Sequence, residues 1–142
     1  MTIVITPVVA SLLALLYVFL SIRVIGARRT ERISLGDRGN DLMLRRMRVH
    51  SNFAEYTPFA LLLLLMLELL GGAHWLLYGL GLFLLVGRSV HAYGVSSDPE
   101  PMAFRVTGML LTFTVIGIAA LANLVLSIDK LMAVGRLGQP AL

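Results

Sequence analysis

Cysteine is absent from the 142-residue chain, and charged residues make up only 14% of it. Without cysteine, the chain cannot form a disulfide scaffold or a zinc site built on thiolates. The charged fraction is about half that of an ordinary soluble domain, so polar side chains are too few to cover a surface that faces water. The hydrophobic fraction of 58% also excludes a disordered chain. The composition therefore predicts a small membrane protein, and the length suits a single domain.

Long apolar runs are what the sequence has in abundance. Four of them can be counted, at about residues 3–25, 45–70, 75–95 and 102–128. A helix needs about 20 residues to span a bilayer. The first run lacks a basic N-terminal region and a small-residue cleavage site, which favours a retained helix over a signal peptide. We therefore predict an all-α integral membrane four-helix bundle, with residues 1–142 as one four-span domain. The polar tail after Asp129 is expected to fray.

Arginine supplies eleven of the twelve cationic side chains, and most of them follow the first span. Seven lie close together in the chain: Arg28, Arg29, Arg32, Arg38, Arg45, Arg46 and Arg48. The turn at residues 71–74 has no arginine or lysine. By the positive-inside rule, the basic segment is predicted to be cytoplasmic, which places both termini on the non-cytoplasmic side. This orientation accounts for the net charge of +4, so no nucleic-acid partner is predicted.

The second span is too short in its apolar part. Residues 56–67 number 12, which makes roughly 18 Å of helix against a hydrocarbon core of about 30 Å. Gly71 and Gly72 limit extension at the outer end, so the additional turns are predicted at the inner end. Asn52 and Glu55 are thereby drawn to membrane depth. Polar groups there are costly and are expected to face a bundle interior or a wet cavity.

Polar side chains recur at helical spacing on three of the spans. On the second span, steps of three and four residues put one set on a single face: Arg45, Arg48, Asn52, Glu55 and Phe59. Arg88 and His91 share a face of the third span, and Arg105 opens the fourth. Because neighbouring spans are antiparallel, these groups are predicted to meet at the cytoplasmic end. Single arginines can be headgroup anchors, and an asparagine can join helices. As a set, they favour a site for a mainly anionic ligand.

The remaining polar residues do not extend this site. His50 lies off the common face and is interpreted as a packing residue. With His91 and Glu55 it is too isolated for a metal site, which needs three or four converging ligands, so no metal is predicted. Glu68, near the outer end of the second span, receives no function. Five glycines on the last two spans are predicted to allow close helix packing: Gly79, Gly81, Gly87, Gly108 and Gly117.

Two segments and one arginine carry a family resemblance. Residues 48–58, Arg-Val-His-Ser-Asn-Phe-Ala-Glu-Tyr-Thr-Pro, resemble the second-helix signature of the MAPEG family, the membrane-associated proteins in eicosanoid and glutathione metabolism. Residues 86–91, Val-Gly-Arg-Ser-Val-His, resemble the third-helix motif of that family, and Arg105 resembles the arginine that opens its fourth helix. The resemblance covers essentially the whole chain and is strongest to the short bacterial branch. It implies a multi-pass protein of the cell inner membrane.

The resemblance also implies an assembly and a chemistry. Members of the family form homotrimers of four-helix subunits, and several bind glutathione as a co-substrate between subunits, toward the cytoplasmic side. By this resemblance, Arg105 is the catalytic residue that stabilises the glutathione thiolate, which is the nucleophile. The acceptor is a lipophilic electrophile or hydroperoxide that enters from the bilayer. The resemblance assigns the remaining glutathione contacts to Arg48, Asn52, Glu55, Arg88, His91 and Arg29.

Three functions remain open at this point. The first is a glutathione S-transferase or peroxidase acting on a lipophilic substrate. The second is a non-catalytic lipid- or ligand-binding membrane protein of the same fold. The third is a small four-helix drug exporter, but such exporters carry a carboxylate in their first helix. Residues 3–25 contain no acidic residue, which argues against the exporter. A lone subunit would also bury the arginine-rich face poorly, which is a physical reason for association.

Overall fold

Four helices account for the part of the chain that the structure describes. The computed structural model covers residues 3–137, with the side chains of residues 3–134. The helices, in chain order, are α1 (Ile5–Glu31), α2 (Asp41–Leu69), α3 (His74–Ser96) and α4 (Met102–Leu137). No strand occurs within residues 3–137. All four helices are long and apolar enough to cross a membrane, so the prediction of an all-α chain with four spans is confirmed.

The helix ends differ from the apolar runs in two instructive places. As predicted, α2 extends at its N-terminal end: it begins at Asp41, and the side chain of Asn40 accepts a hydrogen bond from the Met43 N–H at 2.9 Å. This cap satisfies one of the free donors of the first turn. The prediction that the tail frays from Asp129 was wrong as far as Leu137, where α4 is still helical. Residues 129–134 contain neither glycine nor proline, so nothing local stops the helix there. Residues 138–142 lie outside the described part.

Close packing of α3 on α4 draws the start of α4 toward the end of α3. A Cβ atom on Gly108 would lie 2.6 Å from both the Gly87 carbonyl oxygen and the His91 backbone nitrogen, so only glycine fits at position 108. A Cβ atom on Gly81 would lie 2.6 Å from Cγ2 of Val9 on α1, which is a side-chain contact and not a backbone one. Of the five glycines predicted to allow close helix packing, Gly79 and Gly117 instead face open space, with nothing within 4 Å of a built Cβ. The spacing of glycines along the sequence does not distinguish those at close helix contacts from those facing open space.

The outer faces of the helices are apolar. Large side chains such as Leu15, Trp75, Leu110 and Leu121 are more than half exposed in the single chain. So continuous an apolar surface is unfavourable on a monomer in water, whereas lipid tails can cover it. The interior is formed by residues such as Leu13, Leu64, Leu77, Leu84 and Val115. These features are those of a helical bundle in a bilayer.

Glu68 joins the beginning of α1 to the end of α2. Its Oε1 accepts hydrogen bonds from the backbone N–H groups of Val4 and Ile5, each at 2.8 Å, and its Oε2 accepts one from Thr6 at 2.7 Å. The first N–H groups of a helix have no intrahelical partner, and the helix dipole also favours a negative charge there. The side chain of Val4 cannot cap α1. Glu68 therefore performs the capping from a second helix, a role that the sequence did not reveal.

Replacing Glu68 with alanine is expected to lower the free energy of unfolding by about 2 kcal/mol, the scale of losing hydrogen bonds to a charged group. The measurement is thermal unfolding in detergent micelles. Asp129→Asn is the matched control, because Asp129 is an exposed acid on α4 toward the same end of the bundle. Equal melting temperatures for Glu68→Ala and Asp129→Asn would contradict a capping role.

Candidate functional site

A polar cleft of about 580 Å³ opens where α2 begins, α3 ends and α4 begins. Its size falls within the range of about 300–1,000 Å³ that small-molecule sites occupy. Helical spacing on α2 brings Arg45 onto the same wall as the predicted site residues. The structure brings five of the seven predicted site residues to the lining of this polar cleft: Arg48, Asn52, Glu55, His91 and Arg105.

Arg88 does not line the polar cleft but is buried beneath it, where it contacts the cleft residue Asn52. Its side chain is 0% exposed. Its Nη2 donates a hydrogen bond to Asn52 Oδ1 at 2.7 Å, its Nη1 lies 3.9 Å from Met109 Sδ, and its guanidinium stands 5.4 Å from the centre of the Phe53 ring. Because arginine has only donors, the amide oxygen of Asn52 must face it. The amide nitrogen of Asn52 is left to donate to a ligand.

Two of the cleft arginines share one carboxylate. Arg105 Nη1 lies 3.2 Å from Glu100 Oε1, and Arg45 Nη1 lies 3.6 Å from Glu100 Oε2. Arg45 also contacts Asp98 Oδ1 at 3.4 Å. The charges of Arg45 and Arg105 are therefore partly neutralised by acidic residues of the segment that joins α3 to α4. Sequence reasoning missed Glu100, whose only signal was an acidic residue five positions before Arg105.

Arg48 and Glu55 are charged cleft residues whose side chains form no hydrogen bond or ion pair with the rest of the described chain. Neither takes part in a side-chain hydrogen bond or an ion pair within the described side chains. Both are exposed and lie on the same face of α2, two helical turns apart, with Asn52 between them. A free guanidinium, an amide donor and a free carboxylate in one row complement a ligand that has a carboxylate, a peptide carbonyl and an ammonium group.

His91 adds an unused polar atom to the floor of the polar cleft. The ring is 3% exposed, and its Nδ1 is buried without a hydrogen-bond partner among the described residues. Buried nitrogen atoms are rarely left unpaired, which makes the Nδ1 of His91 an exception among the described residues. Across residues 3–134, no three histidine and acidic side chains converge as metal ligands would.

Two further histidine and arginine predictions have different outcomes. His50 stacks on Tyr17 with ring centres 4.8 Å apart, and its Nε2 lies 3.1 Å from Ser21 Oγ, so its interpretation as a packing residue is confirmed. Arg29 is exposed near the end of α1 and is not among the residues that line the polar cleft. Its neighbour Arg28 folds back onto the carbonyl oxygens of the loop after α1. A ligand contact for Arg29 stays a prediction.

Four membrane-length helices with a polar cleft at one end of the bundle define a polytopic membrane protein. The family model of the MAPEG family matches residues 6–125, and the chain belongs to this family. It is 35% identical over 115 residues to inner membrane protein YecN of Escherichia coli (strain K12). The aligned segment covers 81% of this chain and 86% of the relative. Identity and coverage are the same for YecN of Escherichia coli O6:H1 (strain CFT073). The protein is thus a multi-pass protein of the inner membrane.

Proposed function

We propose that the protein is a membrane glutathione-dependent transferase or peroxidase that acts on a lipophilic electrophile. The observation that carries this proposal is the row formed by Arg48, Asn52 and Glu55, whose two charged members form no hydrogen bond or ion pair with the described side chains. Glutathione has two carboxylates, one ammonium group, two peptide bonds and a thiol. Membership of the MAPEG family supports the same ligand.

Each residue of the row has a defined task in this proposal. The planar guanidinium of Arg48 binds a carboxylate of glutathione with two parallel hydrogen bonds. The amide nitrogen of Asn52, oriented by Arg88, donates to a peptide carbonyl. The carboxylate of Glu55 accepts hydrogen bonds from the ammonium group. Together they hold the tripeptide along α2, so that its thiol reaches the part of the polar cleft near Arg105.

Arg105 supplies the electrostatic part of the chemistry. A guanidinium beside the thiol lowers the thiol pKa and stabilises the thiolate. In the transfer reaction, the thiolate sulfur forms a bond to an electrophilic carbon while the leaving group departs with its electron pair. In the peroxidase reaction, two glutathione molecules are oxidised to the disulfide, and the hydroperoxide is reduced to an alcohol and water. Both reactions suit an acceptor that arrives from the lipid side.

The orientation and the assembly are part of the same proposal. The polar cleft lies at the end of the bundle that carries the basic segment after α1, which supports a cytoplasmic position for the site and non-cytoplasmic termini. Arg48, Glu55 and Arg29 are all exposed in the single chain. A homotrimer would cover these charges.

The test of the proposal is equilibrium binding of glutathione to the detergent-purified protein. We expect saturable binding that weakens at least about tenfold in Arg48→Ala and in Glu55→Gln, because each variant removes hydrogen bonds to a charged group. Lys130→Ala and Asp129→Asn make the same charge changes on α4 far from the polar cleft and should bind normally. Absence of binding by the native protein at millimolar glutathione would refute the proposal.

One observation favours the second candidate, a non-catalytic lipid- or ligand-binding protein. An apolar groove of about 440 Å³ lies between α1 and α2 and is lined by residues that include Leu13, Tyr17, Phe53, Thr57 and Leu61. Such a groove suits an acyl chain. The two functions differ in turnover: a binding protein would retain glutathione or lipid without consuming any electrophile, whereas an enzyme forms the glutathione conjugate or disulfide.

A further inference from the structure

The segment between α3 and α4 places one carboxylate inside the polar cleft. Glu100 has a side chain that is only 21% exposed, and it lines the polar cleft with Arg45 and Arg105. One of its oxygens faces Arg105 at 3.2 Å, and the other faces Arg45 at 3.6 Å. A carboxylate that bridges two guanidinium groups occupies the position that an anionic group of a ligand needs in order to reach either arginine.

Further contacts hold this segment in place. Arg45 Nη1 donates to the Ser97 carbonyl oxygen at 3.1 Å, and Arg45 Nη2 contacts Asp98 Oδ1 at 3.4 Å. Ser97 Oγ donates to the Tyr93 carbonyl oxygen at 2.9 Å. The start of α2 is therefore tied to the α3–α4 segment through Arg45. Since Arg105 lies in the first turn of α4, Glu100 links both arginines through one short stretch of chain.

We propose that Glu100 is a specificity-determining residue that competes with the ligand for Arg45 and Arg105. The inference rests on the proposed function and deepens it. A ligand end with one carboxylate and one ammonium group binds at Arg48 and Glu55 without disturbing Glu100. A second carboxylate gains Arg45 or Arg105 only by displacing the internal carboxylate. Glu100 therefore sets an energetic threshold for ligands with an additional anionic group and leaves the binding of simple zwitterions unchanged.

The free-energy cost of displacing Glu100 is small enough for a small ligand to overcome. Arg105 is 51% exposed, and exposed ion pairs contribute little because water and salt screen them. Displacement of Glu100 is therefore readily reversible, and its effect on affinity is expected to be about two- to fivefold. A structural ion pair with no relation to the ligand would not produce selectivity between ligands that differ in one carboxylate.

The experiment compares glutathione with its glycine monoethyl ester, which lacks the second carboxylate. Glu100→Gln should bind glutathione about two- to fivefold more tightly than the native protein and should bind the ester unchanged. Asp129→Asn makes the same charge change away from the polar cleft and controls for the general electrostatic effect of losing one negative charge, while Glu100→Asp keeps the carboxylate. Equal or weaker binding of glutathione by Glu100→Gln, or equal tightening for the ester, would overturn the inference.

A second readout needs no ligand and separates this inference from the proposed function. Phenylglyoxal modifies accessible arginines, and mass spectrometry reports the modified positions. Arg105 should react at least about twice as fast in Glu100→Gln as in the native protein, since the internal carboxylate no longer covers it. An unchanged Arg105 rate overturns the inference even if glutathione binds. If the rate rises but the native protein binds no glutathione, the ion pair between Glu100 and Arg105 is supported. The specificity role is then refuted together with the proposed function.

Discussion

Replacing Arg88 with alanine is expected to lower the free energy of unfolding by about 3–5 kcal/mol, the range for truncating a large buried side chain. Arg88 is fully buried, and its guanidinium contacts Asn52, Met109 and Phe53. Alanine would leave a cavity between α2, α3 and α4 and would also leave the amide oxygen of Asn52 without its donor. Thermal or denaturant unfolding in detergent measures the effect.

Arg88→Met separates packing from the hydrogen bond. Methionine fills most of the same volume without a charge, so stability should stay within about 1.5 kcal/mol of the native value. Glutathione binding should nevertheless fall, because nothing then fixes the orientation of the Asn52 amide. A native unfolding temperature for Arg88→Ala would contradict the packing role. Native glutathione affinity in Arg88→Met would contradict the link from Arg88 through Asn52 to the ligand.

Arg105→Ala is expected to reduce kcat by about a hundredfold, the scale of removing one electrostatic contact to a developing or stabilised anion. The unfolding temperature should not change, since half of the Arg105 side chain is exposed and its ion pair with Glu100 is weak. Steady-state turnover of glutathione with a lipophilic aryl halide or an acyl-chain hydroperoxide is the measurement. The ultraviolet absorbance of bound thiolate provides an independent readout.

Arg105→Lys is the matched control for this experiment. Lysine keeps the positive charge but cannot form the planar contact of a guanidinium, so intermediate turnover is expected. Full turnover in Arg105→Ala would remove Arg105 from the chemistry. If glutathione bound and Arg105→Ala changed neither the thiolate absorbance nor the turnover, thiolate stabilisation would have to come from another group.

The four spans were predictable because the information is local. A run of apolar residues longer than about 20 spans a bilayer whatever its neighbours are, and helical spacing fixes which side chains share a face. Spacing alone therefore puts Arg48, Asn52 and Glu55 on one stripe, and the short apolar part of α2 predicts its extension at the inner end. The prediction for the end of α4 was wrong because a few polar residues after Asp129 do not end a helix whose remaining residues form helices well.

The sequence by itself determined the membrane class, the number of spans, the polar face of α2 and the family resemblance. Only the tertiary structure decided that Arg88 lies behind the wall while His91, three residues further on, lines the polar cleft, because this depends on the rotation of α3 and its contact with Gly108. It also decided the partners of Glu68 and Glu100, which are carried by loops and helix ends. Spacing along one helix specifies a face, but which faces meet depends on how closely helices approach and where the connecting segments run, and no local pattern contains that information.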